Sequence, residues 1–237
     1  NETVAKTYAS YLKESISVIA CNKIACSSSY KSYTELKELS KKYNASFLFE
    51  TNVGAGLPII YTLNNLVNSG DQITSIQAVL SGSLNFIFNN YNENNTFYDI
   101  VKQAQKEGYT EPDPRIDLSG IDVARKILIL AREAGFKMDL NAIENKSFLP
   151  EASLKADSVD DFYATLKDNA SHFESIYNNA QKNNCQLKYV AEFNNGKAKV
   201  SLKEVDKNHP FYNLEGKDNS VLFFTNRYPE QPLIIKG

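Results

Sequence analysis

The sequence contains few of the residue types that bind transition metals or form disulfides. In 237 residues there are three cysteines, two histidines, one methionine and no tryptophan. Cys21, Cys26 and Cys185 are an odd number and lack a Cys-x-x-Cys spacing, which indicates reduced thiols rather than disulfides or a structural zinc site. His172 and His209 lie far apart in the sequence, so each is interpreted as a surface or capping residue rather than as a metal ligand or a base.

The chain also has no large excess of charge of one sign. Its 26 basic and 28 acidic residues give a net charge of -2, and no cluster of lysines and arginines indicates a nucleic-acid partner. No apolar run is long enough to span a bilayer and no signal peptide is recognisable, so we expect no membrane partner and a cytoplasmic location. The only methionine is Met138 and the sequence begins Asn1-Glu2, so we expect it to be a piece of a longer polypeptide.

Hydrophobic periodicity predicts an α/β arrangement at the front of the chain. A helix over 3–12 precedes two short apolar segments at 17–21 and 46–50, which are predicted to be buried strands. A polar amphipathic helix over 33–43 lies between them. Strand, helix and strand at this spacing predict a parallel βαβ unit.

The rest of the chain predicts an α+β body whose antiparallel strands come late. A strand over 73–80 is followed by several amphipathic segments, and the period changes to two beyond residue 185. Asn195-Gly196 is a favoured type I′ hairpin turn. Helices are predicted over 58–67, 84–91, 97–107, 121–134, 160–166 and 169–183, and further strands over 220–228 and 232–237.

The segment TNVGAGLPII (51–60) contains two closely spaced glycines. They do not complete a Gly-x-Gly-x-x-Gly pattern, so they are a weak indication of a nucleotide site. A tight turn into the following helix is the simpler interpretation, with Pro58 in the first turn of that helix. Such a turn can also expose carbonyl oxygens, which beside Glu50 could form a site for a hard cation.

The segment GYTEPDPRIDLSGIDVARK (108–126) combines acids, bases, prolines and the start of an apolar helix. Asp122 and Lys126 are one helical turn apart, which on its own is most simply an exposed ion pair worth a few tenths of a kcal/mol. Asp117 precedes the helix, where a carboxylate can act as a cap. A lysine held by neighbouring carboxylates is also a plausible proton donor to a developing alkoxide. The residues alone leave both interpretations open.

Several long motifs resemble the homoserine dehydrogenase family. They are CNK (21–23), ETNVGAGLPII (50–60), LSGSLNFI (80–87) and GYTEPDPRIDLSGIDVARKILILAR (108–132). The similarity continues through residues 204–237, so it extends over essentially the whole chain. The C-terminal stretch is most similar to the bifunctional aspartokinase–homoserine dehydrogenase type, which agrees with a piece of a longer polypeptide.

The resemblance implies NADPH- or NADH-dependent reduction of L-aspartate 4-semialdehyde to L-homoserine, in threonine and methionine biosynthesis. It implies a homodimer or a higher homo-oligomer. Lys126 would protonate the substrate oxygen, Asp122 would orient Lys126 and contact the substrate, and Lys23 would lie between nicotinamide and substrate. Relatives often carry Asp-Asp where this chain has Ile116-Asp117, and Asp117 is the acid retained in the substrate-contacting position.

The resemblance also assigns a pocket, a cofactor contact and a cation site. The residues expected to line the amino-acid pocket are Glu111, Asp117, Tyr109, Ser83 and Gly82. The residues expected next to the NAD or NADP cofactor are Lys23, Gly108 and Glu111. Glu50 and the carbonyl oxygens of Val53, Ala55 and Leu57 are expected to bind a monovalent cation, sodium in this family.

The expected fold is an α/β remnant of a Rossmann-type nucleotide-binding domain joined to an α+β substrate and dimerisation domain with a mixed sheet. The remnant would comprise residues 1–50, the substrate domain 51–205, and strands returning to the nucleotide-binding domain 206–237. Because the chain contains no Gly-x-Gly-x-x-Gly turn, the alternative to a catalytic part is a non-catalytic dimerisation or substrate-binding module of the same enzyme. A semialdehyde dehydrogenase acting through a nucleophilic cysteine is disfavoured, because no histidine lies near Cys21 or Cys26 in the sequence.

Overall fold

The N-terminal part of the chain forms the predicted parallel βαβ unit. The computed structural model describes residues 2–237. Strand β1 (Val18–Ile19) pairs in parallel with β2 (Phe47–Leu48), and helix α4 (Tyr30–Lys42) connects them after the short helix α3 (Ile24–Ser27). The unit is smaller than predicted because each strand has only two paired residues.

The prediction that both strands are buried is wrong for alternate residues. Ile19 is 83% exposed and Leu48 is 53% exposed, whereas Val18 and Phe47 are buried. Successive side chains of a strand point to opposite faces of the sheet, and only one face of this pair meets the core.

The helix predicted over 3–12 is divided in two. Helices α1 (Glu2–Ala5) and α2 (Tyr8–Lys13) are separated by a turn. At the turn the hydroxyl of Thr7 donates to the carbonyl oxygen of Val4 at 2.8 Å. Threonine hydroxyls offer the backbone such local alternatives to a continuous helix.

The body of the protein is a mixed six-stranded sheet with helices packed against it. The strand order is β4-β6-β5-β3-β7-β8, in which β4 and β6 are parallel and every other pair is antiparallel. The strands are β3 (Ile73–Val79), β4 (Ile143–Lys146), β5 (Gln186–Asn194), β6 (Lys197–Val205), β7 (Ser220–Thr225) and β8 (Leu233–Lys236).

The predicted hairpin at Asn195-Gly196 is confirmed. It joins β5 to β6, and both turn residues have positive φ angles, 46° at Asn195 and 79° at Gly196, as a type I′ turn requires. The last two strands add to the same sheet, because β7 pairs with β3 and β8 pairs with β7. This pairing joins residues 220–236 to the body rather than to the β1–β2 pair.

The helices lie close to the predicted positions, with four additional short α-helices and strands. The helices are α5 (Ile59–Asn68), α6 (Gly82–Asn90), α7 (Phe97–Lys106), α8 (Pro114–Leu118), α9 (Ile121–Glu133), α10 (Glu151–Leu154), α11 (Val159–Asp168) and α12 (Ala170–Lys182). The elements that the periodicity did not predict are α3, α8, α10 and strand β4.

Helix α9 lies at the centre of the molecule. It packs against β4, β5, β6, α3 and α5, and seven consecutive residues, Ile127–Glu133, are buried. One hydrophobic cluster extends from Leu12 to Phe223 and includes this helix. The N-terminal unit and the sheet therefore share a core around α9. Within residues 2–237 no helix has both the length and the apolar character needed to cross a bilayer.

Candidate active site

The segment before α9 folds into a short helix that sets the direction of α9. Asp113 is the N-cap of α8, and its carboxylate accepts from the backbone N–H of Arg115 at 3.0 Å. Pro114 occupies the first turn, where its missing N–H costs nothing. Gly120 then adopts a left-handed conformation (φ 72°) and connects α8 to α9.

The turn at Gly120 is held against the sheet by two polar side chains. The Tyr189 hydroxyl donates to Asn145 Oδ1 at 3.1 Å, and Asn145 Nδ2 donates to the Ser119 carbonyl at 2.9 Å. A Cβ atom at Gly120 would lie 2.0 Å from the Tyr189 hydroxyl oxygen. Only glycine fits this position, for its backbone angle and for the space it leaves.

Asp122, on the first turn of α9, lies between two lysines. Its carboxylate is 2.9 Å from Lys126 Nζ and 3.1 Å from Lys23 Nζ. Burial alone would raise the pKa of Asp122, but the two ammonium groups outweigh it and hold the pKa of this carboxyl below its usual value. Lys126 Nζ also donates to the Leu80 carbonyl at 2.6 Å. The Asp122–Lys126 pair is thus part of a network and is not an isolated surface ion pair.

Asp117 does not cap α9 as predicted, because it lies inside α8 and Gly120 is the N-cap of α9, with no side-chain cap hydrogen bond. Its Oδ1 accepts from the Ser83 hydroxyl at 2.8 Å, and its Oδ2 accepts from the Glu111 backbone N–H at 2.9 Å. The Asp117 side chain therefore joins the start of α6 to the loop that precedes α8.

These groups meet at an open cleft of about 560 Å³. Seven of the residues predicted for catalysis, substrate or cofactor line it, namely Gly82, Ser83, Gly108, Tyr109, Asp117, Asp122 and Lys126, and so does Ala55 of the predicted cation site. Lys23 does not line the cleft, but its ammonium group pairs with the carboxylate of Asp122, which does. Glu111 is exposed and contributes its backbone N–H to Asp117.

An aromatic ring and a cation border the same cleft. Tyr109 stacks on Phe86 with ring centroids 4.2 Å apart, and Lys217 Nζ lies 5.8 Å from the centre of the Tyr109 ring. The cleft therefore offers carboxylates, ammonium groups and an aromatic surface. Such a set suits a small zwitterionic molecule rather than an apolar ligand.

Sequence reasoning missed one wall of the cleft. Lys217, Asp218, Asn219 and Gly237 line it, and Asn219 and Gly237 are joined by two backbone hydrogen bonds of 2.8 and 3.1 Å. The resemblance described above includes residues 217–219 but assigns them no role. The polar composition of this segment, between two predicted strands, was the only indication in the sequence that it lines a site.

The Glu50 turn lies at the start of α5. Both carboxylate oxygens of Glu50 accept backbone N–H groups of that helix, from Ile60 at 2.9 Å and from Tyr61 at 2.8 Å. Gly54 and Ala55 have positive φ angles of 77° and 53°. Glu50 thus caps α5, and residues 53–57 form the tight turn that the sequence predicts.

A nucleophilic cysteine is not part of the cleft. Cys26 is buried, and burial raises the pKa of its thiol to about 12, to which the nearby Glu133 carboxylate adds. Such a thiol is not a nucleophile near neutral pH. Cys21 is exposed and lies outside the residues that line the cleft.

A sequence model described as homoserine dehydrogenase matches residues 58–237. The matched range carries the whole cleft apart from Ala55. The chain belongs to the homoserine dehydrogenase family. Lys23 and Glu50 lie outside the matched range.

Individual relatives extend the homoserine dehydrogenase similarity to the whole chain. The bifunctional aspartokinase/homoserine dehydrogenase 1, chloroplastic, of Zea mays is 42% identical over 237 residues, which cover 99% of this chain and 26% of that protein. Homoserine dehydrogenase of Schizosaccharomyces pombe is 40% identical over 245 residues, which cover 100% of this chain and 65% of that protein. The chain thus spans about a quarter of the length of the bifunctional relative.

Solved structures agree with this family assignment. A hyperthermophilic archaeal homoserine dehydrogenase in complex with NADPH has a TM-score of 0.74 and 27% identity, and the match covers 100% of this chain and 62% of that one. The mixed six-stranded sheet with its helices is therefore an α/β fold of the homoserine dehydrogenase type.

Proposed function

We propose that this chain is the substrate-binding and catalytic part of an enzyme that reduces L-aspartate 4-semialdehyde to L-homoserine with NADPH or NADH. One observation carries the proposal: the Lys126 ammonium reaches the cleft while held by Asp122 at 2.9 Å and by the Leu80 carbonyl at 2.6 Å. A positioned ammonium group beside a carboxylate is a suitable proton donor to an oxygen that becomes negatively charged.

The proposed reaction adds a hydride to the aldehyde carbon and a proton to the aldehyde oxygen. A bound nicotinamide would supply the hydride. Lys126 would donate the proton to the alkoxide oxygen, and Asp122 would hold the ammonium in place and restrict its rotation. Lys23 would share the Asp122 carboxylate and add positive charge beside the developing alkoxide.

The amino-acid part of the substrate needs both signs of charge. Asp117, fixed by Ser83 and by the Glu111 backbone, would face the substrate ammonium group. Tyr109 and Gly82 would form the adjacent walls. A side-chain contact from Glu111 to the substrate would require its exposed carboxylate to turn toward the cleft.

The residues near Gly108 fit a nicotinamide cofactor. Gly108 has φ 76° and no atom lies within 4 Å of the position that a Cβ would occupy, so a flat ring can approach the backbone there. Residues 1–50 are proposed to be the remnant of a Rossmann-type domain, 51–205 the substrate and dimerisation domain, and 206–237 strands that also contact the nucleotide-binding part. A cytoplasmic location remains a prediction, and the Zea mays relative is described as chloroplastic.

We also propose a sodium site at Glu50 with the carbonyl oxygens of Val53, Ala55 and Leu57. A carboxylate with backbone carbonyls is the donor set that hard cations prefer. The Leu57 carbonyl already accepts from Ile59 N–H at 2.8 Å and would have to share its lone pairs. We expect sodium chloride to raise the unfolding midpoint above that in tetramethylammonium chloride at equal ionic strength. Equal unfolding midpoints in the two salts would contradict the proposal of a sodium site.

The experiment that tests the function replaces Lys126 in the full-length protein that contains this chain. We expect Lys126→Ala to lower kcat by about 10²–10⁴-fold, which is the usual contribution of a general acid, with the fold unchanged. Steady-state oxidation of NADPH with aspartate semialdehyde measures this loss.

Lys155→Ala is the matched control. Lys155 forms the same i,i+4 pair with an acid, Glu151, but both side chains are more than 70% exposed and lie outside the cleft. Its loss should leave kcat unchanged. Wild-type turnover by Lys126→Ala would remove Lys126 from the mechanism, and no turnover by the wild-type protein would reject the function.

A further inference from the structure

A buried lysine lies behind the cleft wall formed by residues 214–219. Lys188, near the start of β5, is only 1% exposed, and within residues 2–237 it forms no ion pair with a carboxylate. A buried ammonium without a counter-ion is costly unless its N–H groups are all bonded. Burial and the nearby Lys236 ammonium lower the pKa of Lys188 to about 8, and Glu215 opposes them.

Three oxygen atoms satisfy the three N–H donors of Lys188. They are Asn85 Oδ1 at 3.4 Å, Asn89 Oδ1 at 2.5 Å and the Leu214 carbonyl at 2.5 Å. Two of these acceptors belong to α6 and the third to the segment that follows β6. Lys188 therefore joins a strand, a helix and a loop at one point.

Lys188 also fixes which way the two asparagine amides face. An ammonium group can only donate, so each amide must turn its oxygen toward Lys188 and its NH₂ group away from it. Asn89 Nδ2 then donates to the carbonyls of Leu214 and Gly216 at 3.1 and 3.0 Å. Asn85 Nδ2 donates to the carbonyls of Glu215 and Asp218 at 3.4 and 3.2 Å.

Four carbonyl groups between residues 214 and 218 are thus held by two side chains whose orientation depends on Lys188. The remaining carbonyl, of Lys217, lies against α6 as well, 3.2 Å from the position that a Cβ at Gly82 would occupy. The next residues along the chain, Asp218 and Asn219, line the cleft together with Lys217. Residues 217–219 of the wall are therefore connected to Lys188 through this hydrogen-bond network.

We propose that Lys188 is a positioning residue of the cleft, acting through Asn85 and Asn89 to fix residues 214–219 as the wall that faces the substrate. The inference rests on the proposed function for its catalytic readout. Loss of the wall weakens binding of substrate and transition state alike, so the Michaelis constant should rise while kcat is retained.

The test uses Asn89→Asp in the full-length protein. The carboxylate still accepts from Lys188, but it cannot donate to Leu214 and Gly216 and it repels their carbonyls. We expect KM for L-aspartate 4-semialdehyde to rise at least fivefold with kcat within twofold of the wild type. Hydrogen–deuterium exchange of the backbone amides of residues 214–219 should accelerate.

Asn90→Asp is the matched control, since Asn90 is the next residue of α6 and its Nδ2 donates to the Phe86 carbonyl at 2.8 Å within that helix. It should change neither KM nor exchange. Lys188→Met should reproduce the Asn89→Asp effects.

The outcomes separate the positioning role from the proposed function. Faster exchange with unchanged KM would overturn the role in the cleft, and unchanged exchange in both Asn89→Asp and Lys188→Met would overturn the network itself. A fall in kcat comparable to that of Lys126→Ala would also overturn the positioning role, since residues 214–219 would then act on the chemical step. If the wild-type protein has no turnover, the proposed function fails, and the affinity for L-homoserine measured by titration calorimetry replaces KM.

Discussion

Gly120 shows how much of the site depends on a single residue without a side chain. Its left-handed backbone turns the chain from α8 into α9, and the Tyr189 hydroxyl occupies the volume where a Cβ would lie. The direction of α9 determines where Asp122 and Lys126 point. The sequence showed a glycine before the helix but gave no sign of the tyrosine 69 positions later that closes around it.

Gly120→Ala should destabilise the protein more than a left-handed conformation alone does. That conformation costs a non-glycine residue about 1–2 kcal/mol, and forcing a Cβ against Tyr189 adds about 1–3 kcal/mol of overpacking. Urea unfolding measures the sum. Gly135→Ala is the matched control, because Gly135 has φ 93° with no atom within 4 Å of a Cβ. Equal losses of unfolding free energy in the two variants would contradict the steric role of Tyr189.

At the scale of elements, the segment between β6 and β7 is anchored at its start by His209. The ring Nδ1 accepts from Phe211 N–H at 3.1 Å, and Nε2 contacts Gln77 Oε1 of β3 at 3.1 Å. A neutral imidazole with its proton on Nε2 satisfies both contacts, and a charged ring would lose the first. Burial lowers the pKa of His209, although Asp206 and Glu192 oppose the shift.

His209 should make stability depend on pH below its ordinary pKa of 6.5. Because the folded-state pKa is lowered, the unfolded chain takes up the proton first, so the stabilisation is complete above pH 6.5 and is lost as the pH falls through the folded pKa. As the pH is lowered from about 7.5 to about 5, the unfolding midpoint should fall more steeply for wild type than for His209→Gln. This range extends about one unit above and more than one unit below the ordinary imidazole pKa. Parallel curves would show that His209 does not contribute.

Elements with a long apolar face could be predicted from the sequence, and short polar ones could not. Helix α9 and the β5–β6 hairpin repeat their apolar residues over several turns or alternations, which is enough to define them locally. Helix α8 has five residues and strand β4 buries only Ile143 of its four. Such elements form because neighbouring parts of the fold hold them, and no local pattern encodes that.

The contacts of the site also divide into those that local sequence spacing predicts and those that it does not. The Asp122–Lys126 contact follows from helix geometry, so the spacing predicts it. The contacts of Asp122 with Lys23 and of Lys126 with the Leu80 carbonyl join residues 99 and 46 positions apart. Only the resemblance to homoserine dehydrogenase placed Lys23 at the site, and the 217–219 wall received no role from either kind of reasoning.

At the scale of the whole molecule, the 237 residues contain a cleft with a proton donor but no Gly-x-Gly-x-x-Gly turn. We expect the purified chain to fold, to sediment as a dimer, and to show no oxidation of NADPH with aspartate semialdehyde. The physical reason is that a dinucleotide needs the amide groups of such a turn for its pyrophosphate. Analytical ultracentrifugation and a coupled absorbance assay measure the two properties.

Robust turnover by the isolated chain would contradict this expectation and would locate a cofactor site within these residues. A folded monomer would contradict the proposed dimerisation role. A folded, inactive dimer is the result that the non-catalytic-module interpretation of the isolated chain also predicts.

The central position of β3 has a consequence for biosynthesis. Its two neighbours are β5 and β7, and its residue Val79 pairs with Ser220. At about 5–20 residues per second, roughly 7–28 s of synthesis separate the emergence of these partners from the ribosome. Both edges of β3 lack their final partners until β5 emerges, and the edge that pairs with β7 lacks its partner for the whole interval. Unpaired apolar edges promote aggregation. Slowing elongation between residues 80 and 220, or depleting chaperones, should therefore reduce the soluble yield of this protein.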